Sequence, residues 1–445
     1  MFSKRSDTRR FSIQFPILGL MAALLTMPAA ADNDPYATHH ELGLQQGFPP
    51  PEDKRITRDN ALFGVPYNRY SYQNMREFFP TVNIPPSTEP RALKTAPDGG
   101  IERLSFAHPN GGDADIDAFF KQTYTDAFVV LHRDKIVFER YLNGMYADQP
   151  HQMMSVTKSF AGLFGLMAVK DGLISEDAPL TDIIPELRGS GAFGEATVGQ
   201  VLDMTNSMDF SEKYADPNSG IQQYGRVLGL LPLNPDDDLP SSIYGYLPTL
   251  PIDQDHAHGE IFHYQTPKTD VVNWVTNRIT NQSFFDQLTE LMQQIGASGD
   301  TYVLLDKNGT LFAGGGLNAT PHNLTRFAAM MLNDGKVDGQ VVVQETVIDA
   351  LEAGGSRDAF ANGPNATEMP NGENGEASYR AQWWIRHNPD REAIIALGVH
   401  GQWIYIDRKH DVAVIRQASQ PESTGAFYDD FTYNVIDRIV DYLTQ

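Results

Sequence analysis

The chain has 445 residues, with 34 Lys and Arg against 57 Asp and Glu, for a formal charge of −23 at pH 7. That balance excludes nucleic acid and anionic membrane surfaces as partners, because both carry the same sign. A 41% hydrophobic fraction is enough for a large core, and the absence of cysteine excludes disulfides, thiol catalysis and Cys-ligated metal.

Residues 1–31 read as an export signal. Lys4, Arg5, Arg9 and Arg10 are its basic n-region, 13–27 an apolar run too short for a comfortable membrane span, and Ala29-Ala30-Ala31 a small-residue cleavage site. Removing it takes away four bases and one acid, so the mature chain is more acidic still. An exported protein is expected, in a Gram-negative periplasm ahead of full secretion. No second run of 18 apolar residues occurs, so no transmembrane domain is expected.

Residues 32–100 are rich in Pro, Asn and charge, and read as an extended arm anchored by Tyr67, Tyr70, Tyr72, Phe78 and Phe79. A folded body spans 101–445. Two β-rich runs between Phe128 and Tyr141, around Arg133-Asp134-Lys135, predict a hairpin. A long apolar helix follows Ser155 and stops at Gly172. Residues 176–345 form a lobe of short helical patterns and long Pro/Gly/Asp-rich loops, with a helix over 323–334. The Gly- and Asn-rich stretch 353–378 reads as a flexible loop. Strands are predicted over 393–397, 403–406 and 412–415, then an amphipathic helix over 427–443. Strands at both ends with helices between make an α+β fold: one antiparallel sheet flanked by helices, with an inserted helical lobe.

The chemistry concentrates in Ser155-Val-Thr-Lys158. A serine three residues ahead of a lysine shares its helix face. The helix dipole and the apolar neighbours Met153, Met154, Phe160, Leu163 and Phe164 both disfavour the ammonium. A neutral amine beside a hydroxyl can take its proton and make a nucleophile. The plainer reading of Ser155 is a helix N-cap, although a capping box would place Glu or Gln where Lys158 stands. Asp253, Asp255, His256, His258 and Glu260 could be drawn as a metal cluster, but they lie in a loop with no rigid frame, so no metal or other cofactor is expected.

In their order and spacing, Ser155-Val-Thr-Lys158, Thr197-Val-Gly-Gln-Val-Leu-Asp-Met-Thr205, Tyr264-Gln-Thr266 and Gly398-Val-His-Gly-Gln402 resemble the penicillin-recognising serine hydrolases. That superfamily holds class C β-lactamases, DD-peptidases and related esterases and amidases. The stretches 66–76 and Asp209-Phe-Ser-Glu-Lys-Tyr214 resemble its 6-aminohexanoate-dimer hydrolase branch. The resemblance implies a β-lactamase/DD-peptidase-like fold and an acyl-enzyme on Ser155. It implies Lys158 and Tyr264 as a coupled base, with the lysine cation favouring a phenolate. Without the family, Tyr264 would read as a buried core tyrosine. The implied oxyanion donors are the Ser155 N–H and an N–H of an edge strand, best placed at Val399, with a register on His400 and Gly401 left open. Tyr214, Thr266, Gly398 and His400 are the implied substrate-binding residues, His400 standing in for a missing Lys-Thr-Gly cation. The expected activity is hydrolysis of a small amide or ester. A DD-peptidase or class C-type β-lactamase, and a binding or sensor homologue without turnover, are the alternatives.

Overall fold

The computed structural model describes residues 34–445; the predicted export signal lies outside them. Seven strands make the principal sheet: β1 (Thr125–His132), β2 (Lys135–Tyr141), β3 (Ala377–Arg380), β4 (Trp383–Arg386), β5 (Ala393–Gly398), β6 (Gln402–Asp407) and β7 (Val412–Ala418). Their order is β3-β4-β5-β6-β7-β1-β2, and every pairing is antiparallel. The predicted hairpin is the β1–β2 pair, and it joins the C-terminal strands through β1 and β7. The α+β architecture read from the sequence is thus the observed one.

Successive side chains of a strand face opposite ways, and here both faces are buried. Val129 and Leu131 of β1, Ile394 of β5, and Ile404 and Ile406 of β6 enter one core, with Phe160 and Leu163 of helix α1 (Val156–Lys170). Phe128 and Val130, Ile395, Trp403 and Tyr405 enter the other, against Phe431, Ile436 and Ile439 of the C-terminal helix Ala426–Leu443. Helices therefore cover both faces, which is why these strands read as continuous apolar runs rather than alternating ones.

Helix α2 (Pro267–Thr280) packs beside α1 in the first layer. Its residues from Pro267 to Thr276 are all buried, so it has no polar face to announce it. A second, four-stranded sheet has the order Thr81–Ile84, Thr301–Leu304, Leu317–Ala319, His151–Gln152.

Two expectations need correction. Regular structure begins before residue 100: Asn68–Ser71 is helical, and Thr81–Ile84 is a strand paired with Thr301–Leu304. That strand exists because of a partner more than two hundred residues away, so no local pattern announces it. Residues 353–378 contain the helix Arg357–Ala361 and two short 3-10 turns, and Phe360 there is fully buried, stacked on Phe262 with ring centroids 5.0 Å apart. Its glycines serve close packing: a Cβ at Gly363 would meet the Phe262 carbonyl at 2.0 Å.

Candidate active site

The chain enters α1 through Met154, whose φ of +47° is uncommon for a residue with a side chain. Ser155 then occupies the N-cap position but makes no side-chain capping bond. Its hydroxyl is committed elsewhere. Lys158 Nζ donates to Ser155 Oγ at 2.9 Å and to the Gly314 carbonyl at 2.5 Å. Tyr264 lines the same cavity as Ser155, close enough for the serine to lower the pKa of its phenol, and Lys158 Nζ stands 5.1 Å from the Tyr264 ring centroid. The three side chains chosen from the sequence thus meet around one hydroxyl.

Lys158 is 1% exposed. Burial pushes its ammonium down to about 8, against the opposing pull of Glu212 and Asp270. About a tenth of it is therefore neutral at pH 7, and the fraction rises with pH. Burial pushes the Tyr264 phenol well above its ordinary value, with the Ser155 hydrogen bond opposing. Glu212 and Glu368 push the same way, so these surroundings favour the phenol over the phenolate that the resemblance implies. The tyrosine ring is stacked on Trp384, centroids 5.5 Å apart, and its N–H donates to Asn365 Oδ1 at 2.9 Å.

Two carboxylates that the sequence reading left without a role sit behind this group. Asp270, on α2, is 1% exposed; it accepts from the Tyr224 hydroxyl at 2.7 Å and from the Ala313 N–H at 3.1 Å. Burial pushes its carboxyl up to about 7. It thereby fixes the loop whose Gly314 carbonyl receives Lys158. A Cβ on Gly314 would lie 2.7 Å from the Thr266 methyl group, so the run Gly314-Gly315-Gly316 was the available signal for this close approach. Glu212 accepts from the Thr266 N–H and shares a hydrogen bond with Tyr214. Burial raises its carboxyl, and Lys158 opposes that. The sequence offered it only as part of Asp209-Phe-Ser-Glu-Lys-Tyr214.

On the facing side, β5 ends at Gly398, where a Cβ would lie 2.5 Å from the Met153 carbonyl. The strand is third in the sheet rather than at its edge, which corrects the sequence reading. Its register with β4 ends at Ile395, leaving Ala396 to Gly398 beyond that ladder. The following turn holds His400 at φ +61°. The His400 N–H donates to the Ser423 carbonyl at 2.8 Å, so it is not available to an oxyanion. Among the described residues, neither the Ser155 nor the Val399 N–H has a hydrogen-bond acceptor. The Gly401 N–H, on the wall of the same cavity, also has none, so the alternative register loses only its His400 donor.

The His400 side chain does not serve the site. It is 2% exposed, its Nδ1 is bonded to the Gln420 carbonyl at 2.8 Å, and burial pushes it down to about 4. A neutral, enclosed imidazole cannot replace the missing Lys-Thr-Gly cation. His258, once a conceivable metal ligand, accepts the Ser207 N–H at Nδ1, so it packs its loop.

A cavity of about 170 Å³ opens beside Ser155, reaching Tyr214, Tyr264, Gly398 and Val399. Its lining includes the carboxylates of Glu212, Glu368 and Asp429, and no Lys, Arg or His. An amine 2.9 Å from an alcohol with its pKa brought down to about 8, a neighbouring phenol and N–H groups without acceptors form a set able to carry out acyl transfer.

The sequence profile of the Beta-lactamase family matches residues 113–439. The chain belongs to that family, a class of hydrolases whose fold the two layers of helices around an antiparallel sheet reproduce. Within it, the 6-aminohexanoate-dimer hydrolase of Paenarthrobacter ureafaciens is 32% identical over 359 residues, 80% of this chain and 87% of that one. A solved structure from Bacillus anthracis, assigned by name to the 6-aminohexanoate-dimer hydrolases, has a TM-score of 0.79 at 27% identity, covering 88% of this chain and 98% of its own. Simvastatin synthase from Aspergillus terreus has a TM-score of 0.53 at 14% identity, over 74% and 97% of the two chains. That last likeness is one of fold.

Proposed function

We propose that this protein is a serine hydrolase that cleaves small amides or esters through an acyl-enzyme on Ser155. The observation carrying the reading is a hydroxyl that is bonded to a buried lysine, shares a cavity wall with Tyr264 and is not used as a helix cap. Neutral Lys158 takes the Ser155 proton as Oγ bonds to the carbonyl carbon. The carbonyl oxygen becomes an anion facing the N–H groups of Ser155 and Val399. As the bond to the leaving amine or alcohol breaks, Tyr264 gives that group its proton and is reprotonated from Lys158. Water attacks the ester in the second half, releasing the acid and restoring Ser155. The residues present complete this cycle without a cofactor.

The lining of the larger cavity holds no cation for a substrate carboxylate, and its carboxyls, with Glu368 pushed up to about 7 and Asp429 to about 6 by burial, favour a neutral or cationic group there. This argues against the β-lactamase and DD-peptidase readings, as does the small Ala396 where the family carries a cation. We also infer export through residues 1–31; cell fractionation with and without that segment tests it.

Replacing Ser155 with Ala is expected to abolish p-nitrophenyl butyrate hydrolysis and fluorophosphonate labelling, while the fold stays intact by circular dichroism. Unchanged rates in that variant would refute the assignment. Stoichiometric labelling without turnover by the wild type would favour the sensor reading, and nitrocefin hydrolysis the β-lactamase reading.

A further inference from the structure

The cavity beside Tyr264 is not the only space that reaches the nucleophile. A second pocket of about 50 Å³ meets it at Ser155 and is walled by Leu62, Phe63, Met154, Ile221, Leu230 and Phe312. These six side chains belong to one packed apolar cluster. We propose that this pocket receives the acyl chain of the substrate, and that Leu62 and Phe63 set the length of chain it accepts. The inference rests on the hydrolase reading above and deepens it.

The assignment of acyl and leaving halves follows from the two linings. Tyr264, the proton donor to the leaving group, lines the larger cavity but not the smaller one, whereas Lys158 lines the smaller. The departing alcohol or amine therefore leaves through the larger, carboxylate-lined space. The acyl group stays bonded to Ser155 Oγ and lies in the apolar one. The only side chain in that lining that can carry a charge is Lys158, so the transferred chain should be apolar. At roughly 10–15 Å³ per water-sized group, the pocket holds about three to five such groups, close to a butyryl tail.

Leu62 and Phe63 precede the residues that the family profile matches, so this wall is a feature of the N-terminal arm. It is held firmly. The buried Tyr72 hydroxyl donates to the Leu62 carbonyl at 2.9 Å. The Phe63 ring is stacked on His400 with centroids 6.0 Å apart and meets Tyr214 edge-on at 6.1 Å. His400 thus has a packing role in place of the charge-binding one.

The reaction tested is ester plus Ser155 giving acyl-Ser155 and alcohol, then acyl-Ser155 plus water giving the acid and free Ser155. Turnover of p-nitrophenyl esters from acetate to decanoate should be compared in the wild type, Phe63→Ala and Phe63→Trp. Phe63 is half-buried, and a thermal melt checks each variant. In the wild type, kcat/KM should peak at or near butyrate and fall about tenfold or more by octanoate. Phe63→Ala should move the peak at least two carbons longer, and Phe63→Trp should move it towards acetate. With alkyl butyrates of increasing alcohol length, all three proteins should give the same profile. Acyl-length profiles unchanged in both variants, or a shift in the alcohol series instead, would overturn the inference and leave the hydrolase reading standing. A wild type that hydrolyses none of these esters and takes no fluorophosphonate label at Ser155 would overturn both.

Discussion

Lys158 is the residue on which the chemistry turns, and its protonation makes a signed prediction. The neutral amine is the active form, and burial brings its pKa to about 8. Activity should therefore rise with pH, about tenfold per unit below that value, and level off above it. A kcat/KM profile flat from pH 6 to 9 would exclude Lys158 as the base. The same shift has a cost in stability. Between about 8 and the ordinary 10.5, the unfolded chain holds a proton at this site that the folded chain has lost. Stability from this group is therefore depressed below pH 8 and recovered as pH rises through that window. Lys158→Met should abolish turnover and raise Tm at pH 7, with the gain shrinking towards pH 10. A lower Tm across the whole range would show that the Ser155 and Gly314 hydrogen bonds outweigh the buried charge.

At the scale of elements, the position of α1 against the sheet decides whether Ser155 and Lys158 meet the rest. Gly162 permits that position. A Cβ there would lie 1.9 Å from the Ala381 carbonyl, a backbone atom that cannot swing aside. Gly162→Ala should therefore destabilise the protein by about 1–3 kcal/mol despite alanine's better helix propensity. Activity measured on the folded fraction should fall too. A neutral or stabilising result by urea denaturation would show that helix and sheet can separate without loss.

For the molecule as a whole, the N-terminal arm is joined to the sheet by a buried ion pair. Arg69 Nη1 lies 3.0 Å from Asp126 Oδ1, their side chains 7% and 0% exposed. Asp126 also accepts from the Ser419 hydroxyl at 2.6 Å and faces His151 Nε2 at 3.2 Å. One carboxylate on β1 therefore gathers groups from the arm, from the segment before α1 and from just beyond β7. Arg69→Ala leaves that carboxylate short of its fixed cation, and should cost about 3–5 kcal/mol of unfolding free energy. A loss below about 1 kcal/mol would mean that the arm contributes little to the body it wraps.

What the sequence determined by itself was whatever rests on nearest neighbours and on period. Two β-rich runs and the turn residues between them placed the β1–β2 hairpin, helical spacing placed α1 and the C-terminal helix, and a step of three from Ser155 to Lys158 put both on one face. Charge and the lack of cysteine closed off whole classes of chemistry. The tertiary structure alone decided what depends on groups remote in the chain. Thr81–Ile84 became a strand only by pairing with Thr301–Leu304. Asp270 and Gly314 came to steady Lys158, His400 was sealed in behind Phe63, and Leu62 was carried to the nucleophile. The reason is physical: a dihedral preference acts over a few residues, whereas burial, and with it the pKa of Lys158, is set by atoms hundreds of residues away that arrive only when the chain has folded.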